Sequence, residues 1–97
     1  MEKATIYYNT MTILEKYENK FTSNLKDYSD KFNLFSLTFE IHAMNIDKRS
    51  ELYIYDCTND CIIVDMYACT WEIWHIAKIM LVSYIQGYVI GLKGAKK

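Results

Sequence analysis

Residues Trp71–Gly94, WEIWHIAKIMLVSYIQGYVIGLKG, decide the architecture of this 97-residue chain. They read either as a membrane span followed by lysines or as the core helix of a small domain. Ile73 to Leu92 is about the 20 residues a span needs. Gly87 and Gly91 form a small-xxx-small pair, with tryptophans at one end and Lys93, Lys96 and Lys97 at the other. Against a span stand Lys78 and Gln86, because a lysine at mid-bilayer costs about 2.5–3.5 kcal/mol. On a helical wheel Glu72, His75, Lys78, Ser83 and Gln86 gather in an arc of roughly 140°. Ile73, Ile76, Ala77, Met80, Leu81, Tyr84, Ile85 and Tyr88 take the opposite side. A lipid-exposed span has no reason to sort its polar groups this way, whereas a helix packed on a sheet does. The segment therefore reads as an amphipathic core helix, ending near Gly87 with a short extended tail. Trp71, Ile79 and Val82 fall within its polar arc as apolar surface.

Upstream, the hydrophobic period is two. Phe35, Leu37, Phe39, Ile41 and Ala43 alternate with Ser36, Thr38, Glu40, His42 and Met44, as in a half-buried strand. NIDKRS, residues 45–50, reads as a polar turn. ELYIYDC and CIIVDMY then flank Thr58-Asn-Asp60, whose Asn and Asp suit a tight turn. If Cys57 faces Cys61, then Ile54 faces Val64 and Leu52 faces Met66 on one side. On the other side Tyr53 meets Asp65 and Tyr55 meets Ile63. Further upstream Leu14, Tyr17, Phe21, Leu25, Tyr28 and Phe32 recur at helical steps, with Lys16, Glu18, Lys20, Lys26 and Asp27 on other faces. Tyr7 extends that stripe, so one long helix starts near residue 3 and passes through the capping-box spacing Thr12–Glu15. The expected fold is α+β in the order α-β-β-β-α. A three-stranded antiparallel sheet packs both helices on one face and leaves the other open. Residues 1–97 form a single domain, with no Pro, three Gly and no visible linker.

Composition narrows the function classes. The chain is 52% hydrophobic and 24% charged, which is globular rather than disordered. MEKATIYYNT lacks the apolar run of a secretory signal, and three Cys is an odd count. Both favour reduced thiols and a cytoplasmic location. Twelve Ile, ten Lys and nine Tyr against one Arg and no Pro point to an AT-rich genome, as in many phages and their hosts.

Chemistry-bearing motifs are sparse. Cys57-x-x-x-Cys61 has loose zinc spacing, but no second close pair follows, so buried or semi-buried thiols are the better reading and no metal or cofactor is implied. A Cys57–Cys61 disulfide fits only an oxidising compartment. Asp56-Cys-Thr-Asn-Asp60 lacks the alternation and closing Glu of a calcium loop. Glu40 and His42 share a strand face with Asp65 across the sheet, a pairing able to move protons. Without a nucleophile motif or phosphate loop, the chain does not read as an enzyme.

The open face is the candidate site: Glu40, His42, Glu51, Tyr53, Tyr55, Asp65 and Tyr67. Exposed tyrosines resemble the stacking platforms of RNA binders, but residues 33–72 carry seven acids and two bases, the wrong sign for phosphate. Lysines do concentrate after residue 92, in a terminal tail that reads as solvated. A basic protein surface suits the acidic, tyrosine-rich face better. The expectation is a non-enzymatic protein-binding module of phage type. It would inhibit a larger host or defence protein by occluding its basic, nucleic-acid-handling surface, with no direct nucleic acid and no membrane. The alternative is a tail-anchored or membrane-peripheral protein using residues 71–97; a third is a homodimeric structural protein.

Overall fold

Alternation of apolar and polar residues builds a sheet, and two apolar helical stripes cover one side of it. The computed structural model describes residues 3–24, 27–47 and 49–95. The elements run α1 (Lys3–Asn24), β1 (Tyr28–Leu34), β2 (Leu37–Ile46), β3 (Arg49–Asp56), β4 (Cys61–Ala68) and α2 (Thr70–Ala95). The strands form one antiparallel meander, β1-β2-β3-β4. The fold is thus α+β with two helices and an antiparallel sheet, but the sheet has four strands and not three.

The extra strand comes from residues expected at the end of the first helix. Tyr28 and Phe32 are four apart, which keeps them on one face of a helix and equally on one face of a strand. Leu25 and Lys26 lie outside the described residues. From Tyr28 the chain runs extended, pairing Tyr28 with Ala43 and Phe32 with Phe39. Phe32 is buried on the inner side of the sheet. Tyr17 of α1 packs on both rings, 6.1 Å from Tyr28 and 5.5 Å from Phe32 between centroids. Its hydroxyl donates to Asp30 Oδ2 at 2.9 Å, and the Tyr28 hydroxyl donates to the Tyr17 carbonyl at 2.9 Å. Burial, then this bond to Asp30, pushes the Tyr17 phenol up to about 12.

The β1–β2 connection is a two-residue loop. Leu34 pairs with Leu37, and Phe35 and Ser36 both take positive φ, 51° and 69°, the geometry of a type I′ hairpin turn. The β2–β3 connection is also tighter than the polar stretch 45–50 suggested. Asn45 and Ile46 belong to β2, and Ile46 pairs with Arg49. In the β3–β4 hairpin Ile54 faces Val64, Leu52 faces Met66 and Tyr53 faces Asp65. A register shift between Ile54 and Tyr55 then sets Tyr55 opposite Ile62 and Asp56 opposite Cys61, displacing the expected partners Ile63 and Cys57. An extra residue on one strand does this by bulging out of the ladder. The three cysteines are free thiols.

Leu37, Phe39, Ile41, Leu52, Ile54 and Val64 point inward and are buried. α1 meets them with Ile6, Leu14, Tyr17 and Phe21, and α2 with Ile73, Trp74, Ala77, Leu81 and Ile85. Trp74 is the largest fully buried side chain, 6.1 Å from Phe21 between ring centroids. The helices run antiparallel: Gln86 Nε2 donates to the Lys3 carbonyl at 3.4 Å, and Lys78 pairs with Glu18. α1 passes straight through Thr12, whose hydroxyl donates back to the Tyr8 carbonyl at 2.8 Å. Tyr7 does not extend the inner stripe; it is 53% exposed, and Ile6 is buried in its stead. Nor does α2 stop at Gly87. It continues to Ala95, about 39 Å for its 26 residues.

Candidate functional site

Both helices lie on one side of the sheet, so the side chains that alternate with the core residues form a second, uncovered face. Strand register fixes which residues meet there. Lys31, Glu40, Tyr55 and Ile62 form one cross-strand row; Ser29, His42, Tyr53 and Asp65 form the next; Met44, Glu51 and Tyr67 form a third. All seven residues singled out from the sequence, Glu40, His42, Glu51, Tyr53, Tyr55, Asp65 and Tyr67, share this face. They are half-buried or exposed.

Side-chain contacts order the face. His42 Nε2 lies 2.9 Å from Glu40 Oε1, two residues along the same strand. The imidazole stands edge-on to Tyr53 at 5.7 Å. Tyr53 stacks on Tyr55 at 6.3 Å with the rings nearly parallel, 8° apart. The Arg49 guanidinium sits 5.7 Å from the centre of the Tyr67 ring. Aromatic stacking and cation–π contact each add up to about 1 kcal/mol at exposed positions, so these side chains are held in place before any partner arrives.

The charge of the face differs from that of the sequence around it. Of the seven acids in residues 33–72, only Glu40, Glu51 and Asp65 lie on it. Asp47 and Asp60 take turn positions with φ of 57° and 54°, and Glu72 lies on α2. Asp56 faces the opposite way, fully buried under α2. Sequence reading also missed two bases, Lys31 because it was assigned to a helix and Arg49 because it was assigned to a turn. With Asp27 at the edge beside His42 and Met44, four acids against two bases among the described residues leave the face mildly negative, with the charges interleaved among tyrosines. Met44 and Ile62, 41% and 55% exposed, add apolar contact area at its margins.

Chemically, the His42–Glu40 pair is a hydrogen-bonded imidazole and carboxylate, and the depression beside it is lined by Asp27, Tyr28, Ser29, His42 and Met44. Among the described residues no three of His, Cys, Asp and Glu come together as a metal would require. Asp56 is the centre of a polar cluster. Its carboxylate accepts from the Thr58 and Asn59 backbone amides at 2.9 and 3.2 Å, from Asn59 Nδ2 at 2.8 Å and from the Tyr84 hydroxyl. Burial alone raises its pKa, but these donors outweigh that and leave it below the ordinary aspartate value. Burial, followed by the bond to Asp56, raises Tyr84 well above an ordinary phenol. Every lone pair of Asp56 is engaged, so the cluster is a structural latch between the β3–β4 turn and α2.

No protein-family model matches the chain, and neither does any curated protein or solved structure.

Proposed function

We propose that this chain is a small, non-enzymatic protein-binding module whose uncovered sheet face docks on a basic patch of a larger protein. The carrying observation is the stacked Tyr53–Tyr55 pair on a bare sheet face, flanked in register by Glu40, Asp65 and Glu51. Tyrosines give large contact area with little rotamer entropy to lose, and interleaved carboxylates steer and orient a basic partner. A rigid sheet of this size acts by covering what it binds. The partner class that fits is a nucleic-acid-handling host or defence protein, occluded by a phage-type accessory inhibitor.

The test is a tagged pull-down of the full chain from host lysate without detergent, with and without nuclease, followed by affinity measurement on the captured protein. One stoichiometric partner survives nuclease. The variant Glu40→Lys/Glu51→Lys/Asp65→Lys binds it at least about 30-fold more weakly, or roughly 2 kcal/mol, with an unchanged circular dichroism spectrum. Undiminished binding by that variant removes the sheet face as the site.

One observation favours an anchoring reading. Thr70–Gly91 is 22 residues with a mean hydropathy of 1.3, long and apolar enough to cross a bilayer. A third of that stretch is buried inside the fold, and Lys78 within it pairs with Glu18 of α1. Deleting residues 71–97 separates the readings: a core helix takes the fold with it, whereas an anchor leaves a folded remainder.

A further inference from the structure

The outer side of α2 carries a second surface, remote from the sheet face. Trp71, His75, Ile79, Val82, Gln86 and Ile90 follow one another at steps of four, four, three, four and four. At about 100° per residue they fall within an arc about 100° wide. Trp71 is 73% exposed, Ile79 55% and Ile90 43%. Val82 lies low, on the floor of a groove that Tyr7 and Met11 of α1 border and Ile79 overlooks, with a volume of ≈ 320 Å³. The crest of this surface and its groove are adjacent on the same helix.

The order of steps is the same read from either end, and so is the chemistry: apolar, polar, apolar, apolar, polar, apolar. Such a pattern has a natural complement, itself reversed. We propose that two copies of the chain pair through α2, antiparallel, about a two-fold axis passing between Met80 and Leu81. Ile79 of each copy then enters the groove over Val82 of the other, a ridge in a groove. His75 meets Gln86, two side chains able to hydrogen-bond each other. Trp71 covers Ile90. The contact is isologous and closes on itself, running about 28 Å along each helix.

Charge selects the same arrangement. A parallel pair sets Glu72 against Glu72, whereas the antiparallel pair holds the two carboxylates at opposite ends of the contact, with helix dipoles opposed. A lipid surface is a poorer fit, since it offers no partner to His75 and leaves Gln86 only its bond to the Lys3 carbonyl. Because the helices cover the inner side of the sheet, both open faces remain free in the dimer.

The mass of the full chain in solution, read by light scattering at micromolar concentration, tests this. The expected value is twice 11.5 kDa, falling to the single-chain mass in Ile79→Glu and in Ile90→Glu. Both positions are exposed, so the circular dichroism spectrum stays unchanged. Orientation is read in a background with Cys57, Cys61 and Cys69 replaced by Ser, using a bis-maleimide that alkylates two thiols. A mixture of Trp71→Cys and Ile90→Cys chains cross-links, while neither does so alone. A single-chain mass for the wild type, a dimer that persists in both glutamate variants, or cross-linking within Trp71→Cys alone overturns the proposal. So does a monomer that floats with phosphatidylserine vesicles, which would assign the stripe to lipid. The charge-reversed sheet face leaves the mass untouched, so either reading can fail without the other.

Discussion

Two hairpin turns lie at the same end of the sheet and are closed in different ways. The β3–β4 turn is tied by one side chain: Asp56 gathers four donors from Thr58, Asn59 and Tyr84. It is further bound to β2, where Cys57 donates its amide to the Thr38 carbonyl at 2.8 Å and the Thr58 hydroxyl accepts from the Thr38 amide at 2.9 Å. The β1–β2 turn has no such centre. It closes through backbone conformation, with Phe35 and Ser36 both left-handed and a single cross-strand bond, Thr38 Oγ1 to Asn33 Oδ1 at 2.9 Å, beside it. One turn concentrates its stability in a carboxylate; the other carries strain that the flanking ladder must outweigh.

Removing the carboxylate should damage the fold most. Asp56→Ala takes the charged acceptor from the Tyr84 hydroxyl and the Asn59 amide under α2, leaving them only the longer contacts to each other and to Cys61 Sγ. It is expected to lower stability by about 3 kcal/mol in urea denaturation. A loss under about 1 kcal/mol would mean that the turn holds itself. Acid supplies the same test without a cavity. The folded pKa of Asp56 is depressed, so its contribution is present above the unfolded value of about 3.9 and is lost as pH falls through the folded value. The advantage of wild type over Asp56→Asn at neutral pH should therefore shrink below about pH 4. The exposed Asp30, also depressed, chiefly by the Lys31 amide and then by Tyr17, titrates in both proteins and cancels in the difference.

A smaller change separates latch from turn. Tyr84→Phe keeps the ring, which stands edge-on to Phe39 at 6.4 Å, and removes the α2 hydroxyl together with its longer contacts to Asn59 Nδ2 at 3.5 Å and Cys61 Sγ at 3.4 Å. The backbone and Asn59 donors remain, so the expected loss is about 1.5 kcal/mol, half that of Asp56→Ala. Equal losses from the two variants would place the whole contribution of Asp56 in its tie to α2 and none in the turn.

The same contrast explains what could be read from the sequence. Asp, Asn and Asp around residues 56–60 announce a turn through residue types that cap it locally, and β3 beside it alternates buried and outward positions. Phe35-Ser36 announces nothing, because neither residue favours the left-handed region. With no turn signal to stop it, the helical reading ran on through Tyr28 and Phe32, whose spacing of four fits both periods. The open face was legible wherever alternation in β2 and β3 was intact, and as far as Asp65 and Tyr67 in β4. The bulge lay beyond its reach, because an added residue leaves no mark on composition. Lys31 was hidden by the missing strand, so the face looked more acidic than it is.

The strained turn can be eased, and the gain should be small. Ser36 is exposed at a φ of 69°, where an L-residue stands about 1 kcal/mol or more above glycine. Glycine there removes that strain but loses more backbone entropy on folding, about 0.5–1 kcal/mol. Ser36→Gly should therefore raise stability by about 0.5 kcal/mol, read as a higher urea midpoint at unchanged slope. Phe35 is unsuited to the same test because its ring packs against the core. Asp60 is the control in the opposite turn: it is exposed with a φ of 54°, but aspartate tolerates this region through local hydrogen bonding. Asp60→Gly should accordingly gain nothing. If it gained as much as Ser36→Gly, both turns would carry the same backbone strain, and Asp56 would be offsetting strain in its own hairpin rather than replacing it.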